Sequence, residues 1–193
     1  MPLAPTHPKT LEENVSTFRR VCGQWATGVA IATSYYQGTV HACTVSSVQP
    51  LSSEPLLISI SLRKAATMAE FLMQSHSLGI SILRSSQEAQ ARQFSGQAAR
   101  TFPFEWRVGP DQTVPLIPGA LAYLVGDLIQ IVETGDHLLF IATVRHCLSD
   151  DEGSPLLHFR GRFSTLAAEW SGSVQKPDAP SLDERRVLVP TER

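Results

Sequence analysis

Hydrophobic and polar positions divide the chain into segments of two periods. Leu11, Val15, Phe18, Cys22 and Trp25 recur at spacings of four and three, one apolar face of an amphipathic helix. Gly28 follows this stripe and is placed as its terminator. Two strand-like runs come next, GVAIATS and TVHACTV, separated by Tyr35, Tyr36, Gln37 and Gly38, and they predict a hairpin. Residues 46–55, SSVQPLSSEP, read as a loop because Ser and Pro dominate. Strands are predicted over Leu56–Leu62 and Leu78–Leu83, with a short helix over Ala65–Gln74 between them. Ser85 and Glu88 have the spacing of a capping box, which starts a helix that ends near Phe94. Residues 95–119 mix Gly, Pro and aromatics and read as an irregular connection.

The strongest pattern lies between Ala120 and Leu148, where two long apolar-rich strands flank Thr134, Gly135 and Asp136. Strands of this length predict the wall of a barrel. Pro155–Leu166 adds one more strand. Residues 1–10 carry three prolines and read as a flexible arm, and residues 171–193 as a polar tail, which leaves one domain over 11–170. Strands outnumber helices and do not alternate with them. The expectation is a mainly β fold, a β-barrel with covering helices, and not a doubly wound sheet.

Composition narrows the function classes. The 193 residues are 42% hydrophobic and 18% charged, an ordinary globular balance. A net charge of −2 leaves no basic surplus for a phosphate backbone, so nucleic acid is not an expected partner. The apolar runs are too short for a bilayer, and the first ten residues lack the apolar core of a signal peptide. Cys22, Cys43 and Cys147 are scattered and odd in number, which argues against a disulfide framework and for a reducing cytoplasm.

The chain holds no GxGxxG, P-loop, GxSxG or CxxC motif. His41 with Cys43, and His146 with Cys147, could each begin a metal site, but nothing completes either pair, so no metal is expected. His41-Ala42-Cys43-Thr44-Val45-Ser46-Ser47 places small and hydroxyl residues where a strand enters a loop. Such a stretch lets backbone N–H groups approach an anion, and it caps an ordinary turn equally well. Thr67 follows Arg63 and Lys64 near a helix start, which suits either an anion or a plain N-cap. His137 follows a hairpin turn beside Asp136, either as a binding group or as a solvated turn histidine.

Taken in order, these pieces resemble the short-chain flavin reductases, the reductase components of two-component flavin-dependent monooxygenases. The resemblance runs from Phe18-Arg19 and Gln24-Trp25-Ala26-Thr27-Gly28-Val29, through His41–Ser47, Ser53-Glu54-Pro55-Leu56 and Thr67, to Gln87 and Phe94. It continues with Pro115-Leu116, Gly119-Ala120-Leu121-Ala122 and Gly135-Asp136-His137, and closes with Pro155-Leu156-Leu157 and Arg160-Gly161-Arg162-Phe163. Three positions depart from the family's usual residues. Ala42-Cys43 stand for Gly-Met, Ser81 for a frequent Asn, and Ala66 for a serine before the threonine. The last removes a hydroxyl from the expected phosphate site and bears on the choice between FMN and FAD.

The resemblance implies an FMN-binding split barrel, Greek-key-like in its connections. It implies transfer of a hydride from NADH or NADPH to FMN or FAD, with reduced flavin passed to a separate monooxygenase, and a homodimer. It places the flavin on Val40, His41, Ala42, Cys43, Thr44, Ser46, Ser47, Ser61, Leu62, Ala66, Thr67, Gln93 and Phe94. It places the nicotinamide nucleotide on His137, the one expected catalytic residue, with Phe159, Arg160 and Gly161. Two other functions share such a barrel: an oxidase with tightly bound FMN, and a non-catalytic flavin- or haem-binding protein.

Overall fold

A computed structural model describes residues 10–96, 106–109, 113–150 and 152–166. The predicted arm before residue 10 and the polar tail lie outside the described residues. The chain runs α1 (Leu11–Cys22), β1 (Thr27–Gly28), β2 (Ala30–Tyr36), β3 (Thr39–Val45), β4 (Gln49–Ser53), β5 (Leu56–Arg63) and α2 (Thr67–Ser75). It continues with β6 (Ser77–Ile82), α3 (Glu88–Gln93), β7 (Arg107–Val108), β8 (Pro115–Leu116), β9 (Ala122–Thr134), β10 (His137–Ser149), β11 (Leu157–Phe159) and β12 (Arg162–Ser164).

Seven strands form one antiparallel sheet in the order β3-β2-β6-β9-β10-β5-β4. Its two edge strands, β3 and β4, are joined by only Ser46, Ser47 and Val48. So short a link forces the sheet to curl until its edges meet. No ladder joins β3 to β4 among the described residues, and the barrel stays split there. Bending is eased by two irregularities in the β9–β10 ladder, between Ile141 and Ala142 and between Val144 and His146. The mainly β split barrel expected from the sequence is thus the observed fold.

Apolar residues at successive positions of β2 are buried on both faces. Ala30 and Ala32 join the main core with Ile58, Ile60, Leu78, Ile80, Phe140 and Ala142, and α2 closes it with Met68, Ala69 and Leu72. Val29 and Ile31 face the other way, onto a second cluster with Leu83, Ala91, Ile117 and Leu156.

Four local expectations are corrected. The first helix ends at Cys22 with Gly23 as its cap, and Gly28 lies in β1, paired with Leu157. Residues 49–53 are an edge strand, where Pro50 is tolerated beside a register shift. The third helix is preceded by a 3-10 turn at Ser85–Gln87. Gln87, and not Glu88, bonds back, its Oε1 accepting from the Arg84 N–H at 3.0 Å. Pro155–Leu166 holds a hairpin, β11 and β12, whose turn residues Arg160 and Gly161 both have positive φ.

The apolar stripe of α1 is real, and a Thr10–Glu13 capping box fixes its start. Within one chain the stripe faces solvent, with Val15 40% and Phe18 68% exposed, and Trp25, expected to extend it, lies beyond the end of the helix and is 74% exposed.

Candidate functional site

Beside α2, at the end of the barrel, β3, β5, β10 and the segment after α3 enclose a cavity of about 790 Å³. His41, Cys43, Thr44, Ser46 and Ser47 line it from β3 and its exit. Ser61 and Leu62 come from β5, Ala66 and Thr67 from the start of α2, Phe94 from the end of α3, and His137 from the start of β10. Along β3 the alternate residues His41, Cys43 and Val45 line it, and Thr44 reaches it from between them. Val40 and Ala42 do not line it, and Ala42 packs on the second cluster. Gln93 also stays off its wall, whereas its neighbour Phe94 is on it.

Two of the hydroxyls expected to meet a ligand are already committed. Ser47 Oγ accepts from the Ser61 N–H at 3.1 Å and donates to the Ser61 carbonyl at 3.0 Å, tying the β3 exit to β5. Thr44 Oγ1 donates to the Ala91 carbonyl at 2.7 Å, and the Thr44 N–H donates to the Phe94 carbonyl at 2.9 Å. These bonds hold the cavity wall in shape. Ser46 and Thr67 are exposed and keep their hydroxyls for a ligand.

α2 begins in the cavity wall with no side-chain cap, because Ala66 has no hydroxyl. Its first N–H groups and their positive end therefore open toward the cavity. Burial pushes the Cys43 thiol up to about 12, so it stays protonated. Burial also lowers His41 below the ordinary imidazole value.

At the mouth, β10 pairs with β5 so that His137 lies opposite Arg63. His137 Nδ1 is 2.8 Å from Asp136 Oδ1. The hydrogen bond to His137, and then its charge, hold the Asp136 carboxyl below the usual carboxylate range. Arg63 also lines the cavity and was not among the expected site residues. Its signal was present in the sequence as a cation before the α2 start.

The expected nicotinamide residues are not gathered with His137. Phe159 and Arg160 line a separate depression of about 480 Å³ with Arg162, Phe163 and Ser164, and Gly161 sits in its turn. Arg160 lies over the Phe159 ring at 4.9 Å, and its Nε and one Nη donate to Gln24 Oε1 at 3.0 and 2.6 Å. A phosphate there would have to compete with Gln24. No cluster of three or more metal-ligating side chains occurs among the described residues.

The cavity fits a flavin in kind. It has the volume for a ring system, polar groups along one wall, and an open helix start for a phosphate.

Comparison with known proteins agrees with this geometry. The flavin reductase like domain matches residues 22–167. An NADH-dependent flavin reductase of a Rhodococcus species is 33% identical, covering 77% of this chain and 84% of that protein. The reductase component of a 4-nitrophenol 4-monooxygenase/4-nitrocatechol 2-monooxygenase from Rhodococcus opacus is 31% identical over 76% of this chain and 78% of its own. Among solved structures, the Streptomyces globisporus NADH:FAD oxidoreductase SgcE6, in complex with NAD and FAD fragments, superposes with a TM-score of 0.78. It is 28% identical and covers 85% of this chain and 99% of that one.

Proposed function

The chain belongs to the flavin reductase-like family, and on that premise we propose that it is an NAD(P)H:flavin oxidoreductase that supplies reduced flavin to a separate monooxygenase. The observation that carries this reading is the single cavity into which five separate segments bring His41, Cys43, Thr44, Ser46, Ser61, Thr67, Phe94 and His137. FMN or FAD, held there, accepts a hydride from the nicotinamide of NADH or NADPH.

The protein's part is binding and orientation. Ser47 and Thr44 hold the wall rigid through Ser61 and Ala91. Ser46 and Thr67 offer free hydroxyls, and the α2 start offers N–H groups to a phosphate. His137, fixed by Asp136, faces the nicotinamide nucleotide at the mouth. No side-chain nucleophile is needed, because hydride passes directly between two rings. Among the described lining residues Arg63 is the one Lys or Arg, a sparser phosphate site than an oxidase with permanently bound cofactor requires.

The exposed α1 residues Val15 and Phe18, with the exposed Trp25 just after the helix, support a homodimer. A dimer also offers a way to bring the Phe159–Arg160 depression of one chain to the cavity of another. Three free cysteines support a cytoplasmic site of action.

The test is oxidation of NADH and of NADPH by the purified protein, with FMN, FAD and riboflavin added in turn. Flavin-dependent oxidation without any partner protein is the expected result. A folded protein that binds flavin but oxidises neither nucleotide would make it a binding module instead.

A further inference from the structure

His41 is 8% exposed and lines the cavity, and no hydrogen bond to its ring nitrogens occurs among the described residues. The ring is not idle packing. It stacks on Phe71 of α2, with centroids 4.9 Å apart and planes 28° apart. Phe71 lies four residues, about one helical turn, beyond Thr67 on the same face of α2. His41 is thus fixed over the second turn of α2 and shares one cavity wall with the uncapped helix start. An imidazole that is nine-tenths buried, without a hydrogen-bond partner and on the wall of the same cavity as open helical N–H groups is suited to an anion.

Resting on the flavin reading above, we propose that His41 is the phosphate-reading residue of this cavity, taking up a proton when a phosphorylated flavin binds. It stands in for the hydroxyl that Ala66 does not supply at the helix cap. Before binding, burial disfavours the charged ring and leaves it neutral. A phosphate alongside favours the charged ring, so the bound form holds the proton. The consequence is selectivity. FMN and FAD gain from His41 and riboflavin does not, and the gain grows as the pH falls.

The elements packed against β3 are β2, α2 and α3, and they bring Tyr35, Tyr36, Glu70 and the Glu88–Arg92 ion pair to its neighbourhood as charged or titratable groups. Cys43 on β3 itself stays a thiol near neutral pH, because burial pushes it up to about 12. Arg63 and His137 complete the cavity's ionisable groups. Since His137 is a second imidazole on the wall, the proton is assigned to His41 by substitution.

The test is the dissociation constant of FAD, FMN and riboflavin from about pH 8.5 to about pH 5.5, together with calorimetry at neutral pH in buffers of different ionisation enthalpy. FAD is the decisive ligand, because its pyrophosphate does not titrate in this range, whereas the FMN phosphate does near pH 6. FAD should bind more tightly as pH falls, by up to about tenfold per unit, with uptake of up to about one proton. Riboflavin should show neither effect. His41→Gln should abolish both for FAD and leave riboflavin affinity unchanged. Proton uptake by the unsubstituted protein reads the same event should the variant fail to fold. FAD binding that is independent of pH, an equal slope for riboflavin, or a slope retained in His41→Gln would overturn the proposal alone. Failure of all three flavins to bind would overturn the flavin reading and this proposal with it.

Discussion

His137 Nδ1 lies 2.8 Å from the carboxylate of Asp136, the residue before it in the β9–β10 turn. The bond runs between neighbours in the chain, and Gly135 permits the turn with a φ of 63°. The imidazole is therefore oriented by the hairpin itself and presented to the cavity mouth opposite Arg63.

His137→Ala should raise the apparent KM for NAD(P)H by about two- to tenfold, the value of one lost hydrogen bond. Flavin affinity should move less. Asp136→Asn should raise the same KM by a smaller factor, because the imidazole stays but loses its orienting charge. The folded protein lowers the Asp136 value. Its contribution is therefore fully present above the unfolded aspartate value of about 3.9 and fades as the pH falls below it through the folded value. Initial rates at fixed flavin, with nucleotide varied, check both variants. A larger effect on flavin affinity than on nucleotide KM would move His137 to the flavin.

Ser47→Ala removes both bonds to Ser61 and should destabilise the fold by about 1–3 kcal/mol. Ser46→Ala, at an exposed position, should leave stability within about 0.5 kcal/mol and weaken flavin binding instead. Urea denaturation and flavin titration of the two variants separate wall from ligand. Equal stability of the two would show that the Ser47 clamp contributes little.

Gly126→Ala should be among the costliest single methyl additions. Its Cβ would stand 2.2 Å from the Thr143 carbonyl oxygen, a backbone atom that cannot step aside without breaking the β9–β10 ladder. A loss of about 3 kcal/mol is expected, read as a fall in Tm. Gly28→Ala, where a Cβ meets nothing within 4 Å, is the matched control.

Cys43 should react slowly with thiol reagents at pH 8, since its thiol is pushed up to about 12, while the exposed Cys147 reacts quickly. Added flavin should slow Cys43 further. Mass spectrometry of the alkylated protein assigns each site, and fast labelling of Cys43 would show that the cavity wall opens.

Phe18→Glu places a charge in the α1 stripe, where the side chain is 68% exposed in one chain. If two chains pair through this stripe, the variant runs as a monomer in size-exclusion chromatography with light scattering, and the unsubstituted protein runs as a dimer. Identical masses would place the interface elsewhere or show a monomer.

Local patterning was enough to determine the two main hairpins, the short helix after Arg63 and the mainly β class. Each depends on contacts close in the chain: the Gly38 and Gly135 turns, the alternation along β3, and the apolar run of β2. The ordered motifs likewise carried the family and most of the cavity wall. Tertiary structure decided the rest. Residues 49–53 become a strand only because β5 offers them an edge, and local Ser and Pro content speaks against it. The turn within the 157–164 segment was hidden because Arg160, not Gly or Asn, takes the first positive φ. Ser47 and Thr44 look like free hydroxyls until the sheet curls and α3 docks. Their partners Ser61 and Ala91 then use them up. Arg63 joins His137 through the β5–β10 register, and His41 loses most of its solvent when Phe71 of α2 packs on its ring. Side-chain period says which residues share a face, but what covers that face is set by elements distant in the chain, whose meeting depends on the packing of the whole core.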